Sequence, residues 1–549
     1  MATETAPATA GSTNHLKRNV GLISLLWASE SSIIGSGWLY GAKKALLAAG
    51  PSAIIAWGIG AVAIIILALV HAELGGMFPV AGGSARFVHY AFGGAAGASF
   101  GWFAWLQAAS VAPIEVLATI GYAGHYSWAA HWQDPSGNLT APGYTVAVVM
   151  MAVFVAVNYL GVKVLTRAND VMTWWKVGVP LATIFIVAAT HFHSSNFTAA
   201  NGFMPKGING VLSAVSTSGI IFALLGFEQA IQLGGESANP KKDIPRATIL
   251  SILIGASIYL LLQVVFIGAI PSSVIPKAWA DLTYNGISGP WAGLTTVIGL
   301  GWLATILYLD AVISPFATGL VYTTATARYN IAMDRNGYWP KGAGAINDNG
   351  VPWIGLLTSF VAGCVVFAPF PNWNTLVNFI TSASVLMYAG APLAFGVFRA
   401  KLADRERPYR LFAGSVMAPL AFVVANLVIF WSGWSTLEAL GGAIVLGYII
   451  LAVNRVFSLN PINLIPDYRA AQWLPVYLLG IGFIEWISDF GPGHSFLFKT
   501  PLLNNWWSGI LVVAGFSLVI YYWAQAVALT TDKVEEAIAT TSVTELPSH

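Results

Sequence analysis

Residues 33–45 read IIGSGWLYGAKKA, so Gly35, Ser36 and Gly37 stand in the middle of an apolar run. A glycine costs roughly 1 kcal/mol in a helix interior, and membrane-spanning backbone must keep its hydrogen bonds satisfied. A break at this place sets peptide groups free for another partner. Other apolar runs hold Lys176 (in TWWKVGVPL), Glu228, Glu30, Glu115 and Asp310, together with the amide of Gln107. An ionisable group inside a span costs at least about 2.5 kcal/mol and signals function by default. Amines and carboxylates out of water can gain and lose protons, so proton exchange is the first chemistry to consider.

The elements that position these groups follow from composition. The chain has 549 residues, of which 56% are hydrophobic and only 9% charged, against about 25% charged in soluble domains. A span needs about 20 mostly apolar residues, and fourteen such runs occur: near 21–45, 52–72, 95–122, 143–160, 171–190, 211–234, 247–270, 292–325, 353–370, 375–398, 412–432, 435–454, 472–488 and 505–528. The fold class is an all-α polytopic membrane protein.

Basic residues set the orientation. With the N-terminus inside, every Arg, from Arg18 to Arg469, falls on a cytoplasmic loop or end, while Lys43, Lys44, Lys206, Lys277 and Lys499 fall opposite. That asymmetry predicts both termini in the cytoplasm of a plasma-membrane protein. Residues 1–14 are polar and lack the apolar centre of a cleavable signal. The single cysteine, Cys364, excludes an intramolecular disulfide. Asn138-Leu139-Thr140 and Asn196-Phe197-Thr198 match the glycosylation pattern, which occurs often by chance.

The tails, 1–16 and 530–549, are rich in Ala, Thr, Ser and Glu and are expected to be disordered. Between them the reading is a transport core over 17–400 and additional spans 11–14 over 401–529. A second interrupted span, GIIFALLGFEQAIQ (219–232), lies five helices after the first. Paired broken spans point to a transporter of two inverted five-helix repeats with its site at the midplane.

Five stretches carry a family resemblance: IIGSGW, AELGGMFPVAGGSARFVHYAFG (72–93), VNYLGVKV (157–164), GFEQAIQLGGESANPKKDIPRA (226–247) and ATARYNIAMDRNGYWPKGAGAINDNGVP (325–352). In this order they resemble the amino acid–polyamine–organocation superfamily of permeases, and the chain looks most like its bacterial aspartate–proton symporter branch. The resemblance implies a ten-helix, leucine-transporter-type core with broken helices 1 and 6. It implies that backbone N–H groups of Ser36 and Gly37 take the substrate α-carboxylate, with Ile34 and Gly35 forming the break. The α-ammonium would meet carbonyls around Phe222 and Leu225, and Phe222 would be an aromatic gate. The alternative for the glycines is close helix packing, and for Phe222 ordinary packing.

Lys176 matches a family lysine on helix 5, at the place where sodium bridges helices 1 and 8 in sodium-coupled relatives. The resemblance implies that its ammonium binds helix 1 carbonyls and a helix 8 hydroxyl, Ser314 or Thr318, either as proton carrier or as a permanent pin. Glu228 matches a helix 6 glutamate that organises the break, as a transport residue or a hydrogen-bond hub. Glu30 and Glu115 could titrate, pair, or face a water-filled vestibule. Asp310 could line the outer approach or lie near Lys43 and Lys44, which either draw anions to an outer vestibule or are ordinary solvated ends of a helix.

The function expected is proton-coupled uptake of an acidic, or else neutral, amino acid by alternating access. The alternatives are an amino acid or polyamine exchanger, a non-transporting sensor and a membrane enzyme. The enzyme reading lacks any HExxH-type cluster, and His191 with His193 is read as loop histidine, not as a metal site. No cofactor is expected, protons are the coupling ion and sodium is not. The partners are an amino acid and the lipid bilayer, not nucleic acid, and no oligomeric state is assigned.

Overall fold

Long apolar runs fold as helices because a helix satisfies its backbone internally. The structure, a computed structural model, describes residues 20–80, 83–160, 162–283, 289–347, 350–461, 467–492 and 501–543. The expected N-terminal tail, 1–16, and the end of the C-terminal tail lie outside these residues, as does Gly161 of VNYLGVKV.

Among the described residues the helices are α1 (Leu22–Ile33), α2 (Ser36–Ala49), α3 (Ala53–Met77), α4 (Gly83–Ala123), α5 (Ala141–Tyr159), α6 (Val162–His191), α7 (Gly207–Thr217), α8 (Ile220–Ala223), α9 (Gln229–Gln232) and α10 (Pro240–Gly268). They continue with α11 (Pro290–Val297), α12 (Gly301–Arg335), α13 (Trp353–Val366), α14 (Trp373–Lys401), α15 (Gly414–Phe430), α16 (Trp434–Val456), α17 (Trp473–Trp486), α18 (Trp506–Val527) and α19 (Thr531–Val543). No β-strand occurs among the described residues, and each of the fourteen expected windows holds helix. Among the described residues nine segments are long and apolar enough to cross a membrane, while α1, α13, α15 and α17 are apolar but shorter.

The long helix α4 is the axis of the core, packed along α12 and α14, while α1 lies against α10, α6 and α12. The additional helices join the core through α15, which rests on α14, α3 and α18, and through α16, which rests on α14 and α4. At one end of the bundle Glu73 of α3 is clamped by Arg399 (2.6 Å), Arg407 (3.2 Å) and the Leu411 N–H (2.7 Å). At the same breadth of chain, Val20 exchanges backbone hydrogen bonds with Glu236 and Ala238, and Glu236 pairs with Arg328 of α12 at 2.7 Å.

Two expectations need correction, the undivided eighth span and the disordered C-terminal tail. The third span begins near 95 as expected, because Gly93 (φ 76°, ψ −163°), whose close approach to Asp467 suits glycine, parts α4 into a short helix from Gly83 and the span that follows. The eighth span is divided into α11 and α12 at Gly299, φ 82°. Residues 531–543 of the tail read as disordered form α19, because Ala, Glu and Lys favour helix and the core offers a seat. Leu529 N–H donates to Ala91 O at 3.1 Å, Val534 is buried and Lys533 pairs with Asp467 at 2.9 Å. Asn196 is buried and donates its amide to the carbonyls of Ile267, Gly268 and Ile270, in keeping with a chance match to the glycosylation pattern.

Candidate functional site

The helix 1 break forms where the last α1 hydrogen bond, Ile34 N–H to Glu30 O at 2.8 Å, is followed by a non-helical Ile34 (φ −87°, ψ 79°) and Gly35 (φ −113°, ψ −142°). Gly35 has no side chain to cap α2. The cap comes from another helix: Ser36 N–H donates to Glu115 Oε2 of α4 at 2.8 Å. A Cβ at 35 would stand 2.7 Å from Glu115 Oε1 and 2.8 Å from Thr318 Oγ1, so any larger residue there would push both side chains aside.

The helix 6 break runs from Leu224 to Glu228, between the single-turn segments α8 and α9, and turns on Gly226 at φ 122°. Its freed Gly226 N–H donates to Glu228 Oε2 at 3.0 Å. The two breaks interlock: a Cβ on Gly37 would fall 2.7 Å from Ala223 Cβ, and one on Gly226 would fall 2.6 Å from Ser32 Cβ. Ser29 joins them further, donating to Phe227 O and accepting from Ala230 N–H at 3.1 Å.

Lys176 of α6 is fully buried. Its Nζ donates to Ser31 O, to Ser31 Oγ at 3.3 Å and to Thr318 Oγ1 at 2.7 Å, while Thr318 Oγ1 itself donates to Ser31 O at 2.7 Å. Of the two hydroxyls expected for helix 8, Thr318 takes the ammonium. Ser314 turns instead to Asp310 Oδ1, 2.7 Å away.

Asp310 is fully buried, and the indoles of Trp175 (2.9 Å) and Trp38 (3.1 Å) complete its donors. It lines no open approach. Of the alternatives for Glu115, pairing is the one the structure shows, and both it and Gln107 are buried on one face of α4, two turns apart, facing no open vestibule. Gln107 donates to Glu228 Oε1 at 3.3 Å. Glu228 further accepts from Tyr322 and Tyr388 and is thereby a hub between α4, the helix 6 break, α12 and α14. Glu30 is buried with neither carboxyl oxygen hydrogen-bonded. Lys176 is within electrostatic reach of Glu115, Asp310 and Glu30.

Above the breaks stands Trp373 of α14. Its Nε1 donates to Ser36 Oγ at 3.1 Å, its ring stacks on Tyr40 at 4.8 Å, and Phe222 meets it edge-on at 6.0 Å. Beyond this cover, half-buried Lys44 lines an open pocket of about 340 Å³ with Thr217, Ser218 and Asn374. Leu225 is buried, its N–H bonded to Phe222 O at 3.1 Å. Trp373, Ser29 and Ser31 escaped sequence reasoning. The serines could have been found as polar residues one turn before the glycine break, whereas nothing marks Trp373 among the other tryptophans. No group of three or more metal-ligating side chains occurs among the described residues.

Glu115, Lys176, Thr318 and Trp373 are thus brought together around Gly35 and Ser36 at the junction of the two breaks. A sequence model described as amino acid permease matches residues 20–453. The chain is 34% identical to the "Glutamate/serine transporter AimA" of Bacillus subtilis (strain 168), over 95% of this chain and 96% of that protein. It is 33% identical to the "Aspartate-proton symporter" of the same organism, over 93% and 96%. With the "L-asparagine permease" of Streptomyces coelicolor it shares 27% identity over 86% of this chain and 96% of that one. The chain is a multi-pass membrane transporter, not an enzyme, and belongs to the amino acid permease family.

Proposed function

We propose that the chain imports an amino acid, an acidic one by preference, together with a proton across the plasma membrane, by alternating access around the two breaks. The setting of Lys176 carries the proton half of this reading. One ammonium ties α1 to α12, and three buried carboxyl groups lie within its reach. With all four groups ionised, two negative charges would stand unbalanced out of water, which is costly. Protons are the cations such carboxyls take up. An ammonium between α1 and α12 also removes the need for sodium there.

The substrate's α-carboxylate is assigned to the N–H groups at the start of α2, where a helix N-terminus favours an anion. The α-ammonium is assigned to carbonyls of the helix 6 break near Phe222 and Leu225. Lys44 in the outer pocket, with Lys43 beside it in sequence, supports an acidic side chain by concentrating anions. The aspartate and glutamate in the relatives' names agree, and serine keeps neutral amino acids as the second class. The arginine asymmetry supports cytoplasmic termini.

The test is uptake of labelled aspartate into proteoliposomes under an inward proton gradient without sodium. Accumulation that a protonophore abolishes, competed chiefly by acidic amino acids, is expected. Uptake that needs a preloaded internal amino acid would replace symport by exchange.

A further inference from the structure

We propose that Glu115 is an internal competitor of the substrate: in the empty protein its carboxylate occupies the start of α2, and an incoming amino acid has to displace it. The inference rests on the assignment of the substrate carboxylate to the helix 1 break.

Four observations carry it. Ser36 N–H, the first amide of a fourteen-residue helix, already has a carboxylate partner at 2.8 Å. That partner comes from a residue 79 positions away on another helix, whereas α2 has no side-chain cap of its own. Glu115 is 1% exposed, and its second oxygen has no hydrogen bond although it is buried. Gly35 leaves room for that oxygen, because a Cβ would fall 2.7 Å from it. One carboxylate therefore sits on the donor assigned to another, with its Oε1 left unbonded. A free α-carboxylate is not tethered to α4 and can align both oxygens with the break.

The groups around Glu115 fit such an exchange. Thr318 of α12 borders the same gap at Gly35. Lys176 of α6 and Tyr259 of α10 interact electrostatically with Glu115, and Asp310 of α12 and Glu30 of α1 share the field of Lys176. A displaced Glu115 remains beside the Lys176 ammonium, so its charge stays compensated while the substrate is bound.

Competition of this kind lowers apparent affinity by the fraction of protein whose site is open, and removing the competitor tightens binding. The experiment is isothermal titration of the full-length purified chain with aspartate, serine and leucine, for the parent, Glu115→Gln and Glu115→Ala. A dissociation constant lowered on the order of tenfold in both variants is expected for whichever amino acid the parent binds. Structural damage weakens binding, so a tightening separates the two explanations, and the alanine variant serves if the glutamine variant does not fold. Unchanged or weaker binding by a folded variant overturns the inference and leaves the proposed function standing. If the parent binds none of the three, the carboxylate assignment fails and the inference falls with it.

Discussion

Lys176 Nζ lies 2.7 Å from Thr318 Oγ1, and both groups donate to one carbonyl, Ser31 O. A single acceptor of α1 thus holds α6 and α12 in register one turn before the helix break. Lys176→Met keeps the length of the side chain and removes its charge, leaving the Thr318 bond in place. Gradient-driven accumulation is expected to fall at least about tenfold, equivalent to roughly 1.4 kcal/mol. Counterflow of the same amino acid is expected to persist, since the breaks keep their own donors. Measuring both in one proteoliposome preparation checks the claim, and accumulation at the parent level would make Lys176 a structural pin.

Trp373 makes two separable contributions over the site. Trp373→Phe removes the Nε1 donor to Ser36 Oγ and keeps a ring against Tyr40 and Phe222. One such hydrogen bond is worth about 0.5–1.5 kcal/mol, so substrate affinity is expected to fall roughly two- to tenfold. Trp373→Ala also removes the cover, and its dissociation rate is expected to rise beyond that of the phenylalanine variant. Equal dissociation rates in the two variants would deny Trp373 a covering role.

These contacts mark what was legible beforehand. The fourteen apolar windows were readable because a span needs length and hydrophobicity, both local properties. Both breaks were readable because glycine inside an apolar run is costly unless used. The partners of the breaks were not. Glu115 reaches Ser36 across 79 residues and Trp373 reaches it across 337, and no spacing rule links residues on different helices. The setting of Asp310 stays open in the sequence for a similar reason, since its donors Trp38 and Trp175 lie on α2 and α6. The helix α19 escaped because its composition resembles a solvated tail, and only its seat beside Ala91 and Asp467 holds it.

Glu228 has four donors aimed at its two oxygens: Gly226 N–H, Gln107 Nε2, Tyr322 OH and Tyr388 OH. Glu228→Gln turns one acceptor into a donor that faces donors. A buried group left unsatisfied costs about 1–3 kcal/mol, whereas Tyr388→Phe removes one donor and leaves the carboxyl with three. Thermal unfolding of the substrate-free protein is expected to rank parent above Tyr388→Phe above Glu228→Gln. Melting of Glu228→Gln at the parent temperature would show that the hub contributes nothing to stability.

Two buried glycines test how rigid the junction of the breaks is. At Gly101 an added methyl meets the flexible end of Met333, with Sδ at 2.4 Å, and alanine recovers up to about 1 kcal/mol of helix preference. Gly101→Ala is therefore expected to melt close to the parent. At Gly226 the backbone stands at φ 122°, a conformation that costs a side-chain-bearing residue about 1–3 kcal/mol. The methyl would also meet Ser32 Cβ at 2.6 Å and the Ile33 backbone nitrogen at 2.9 Å, and a helix backbone cannot step aside as a methionine tip can. Relief requires either unfolding or separation of the two breaks, and separation would pull α1 from the Ser29 bonds to Phe227 and Ala230. Gly226→Ala is expected to lower stability by at least about 2 kcal/mol, read as lost monodisperse protein and a depressed melting temperature. A Gly226→Ala protein that melts with Gly101→Ala would mean that the breaks part easily, and then their close contact is not what holds α1 to the helix 6 break.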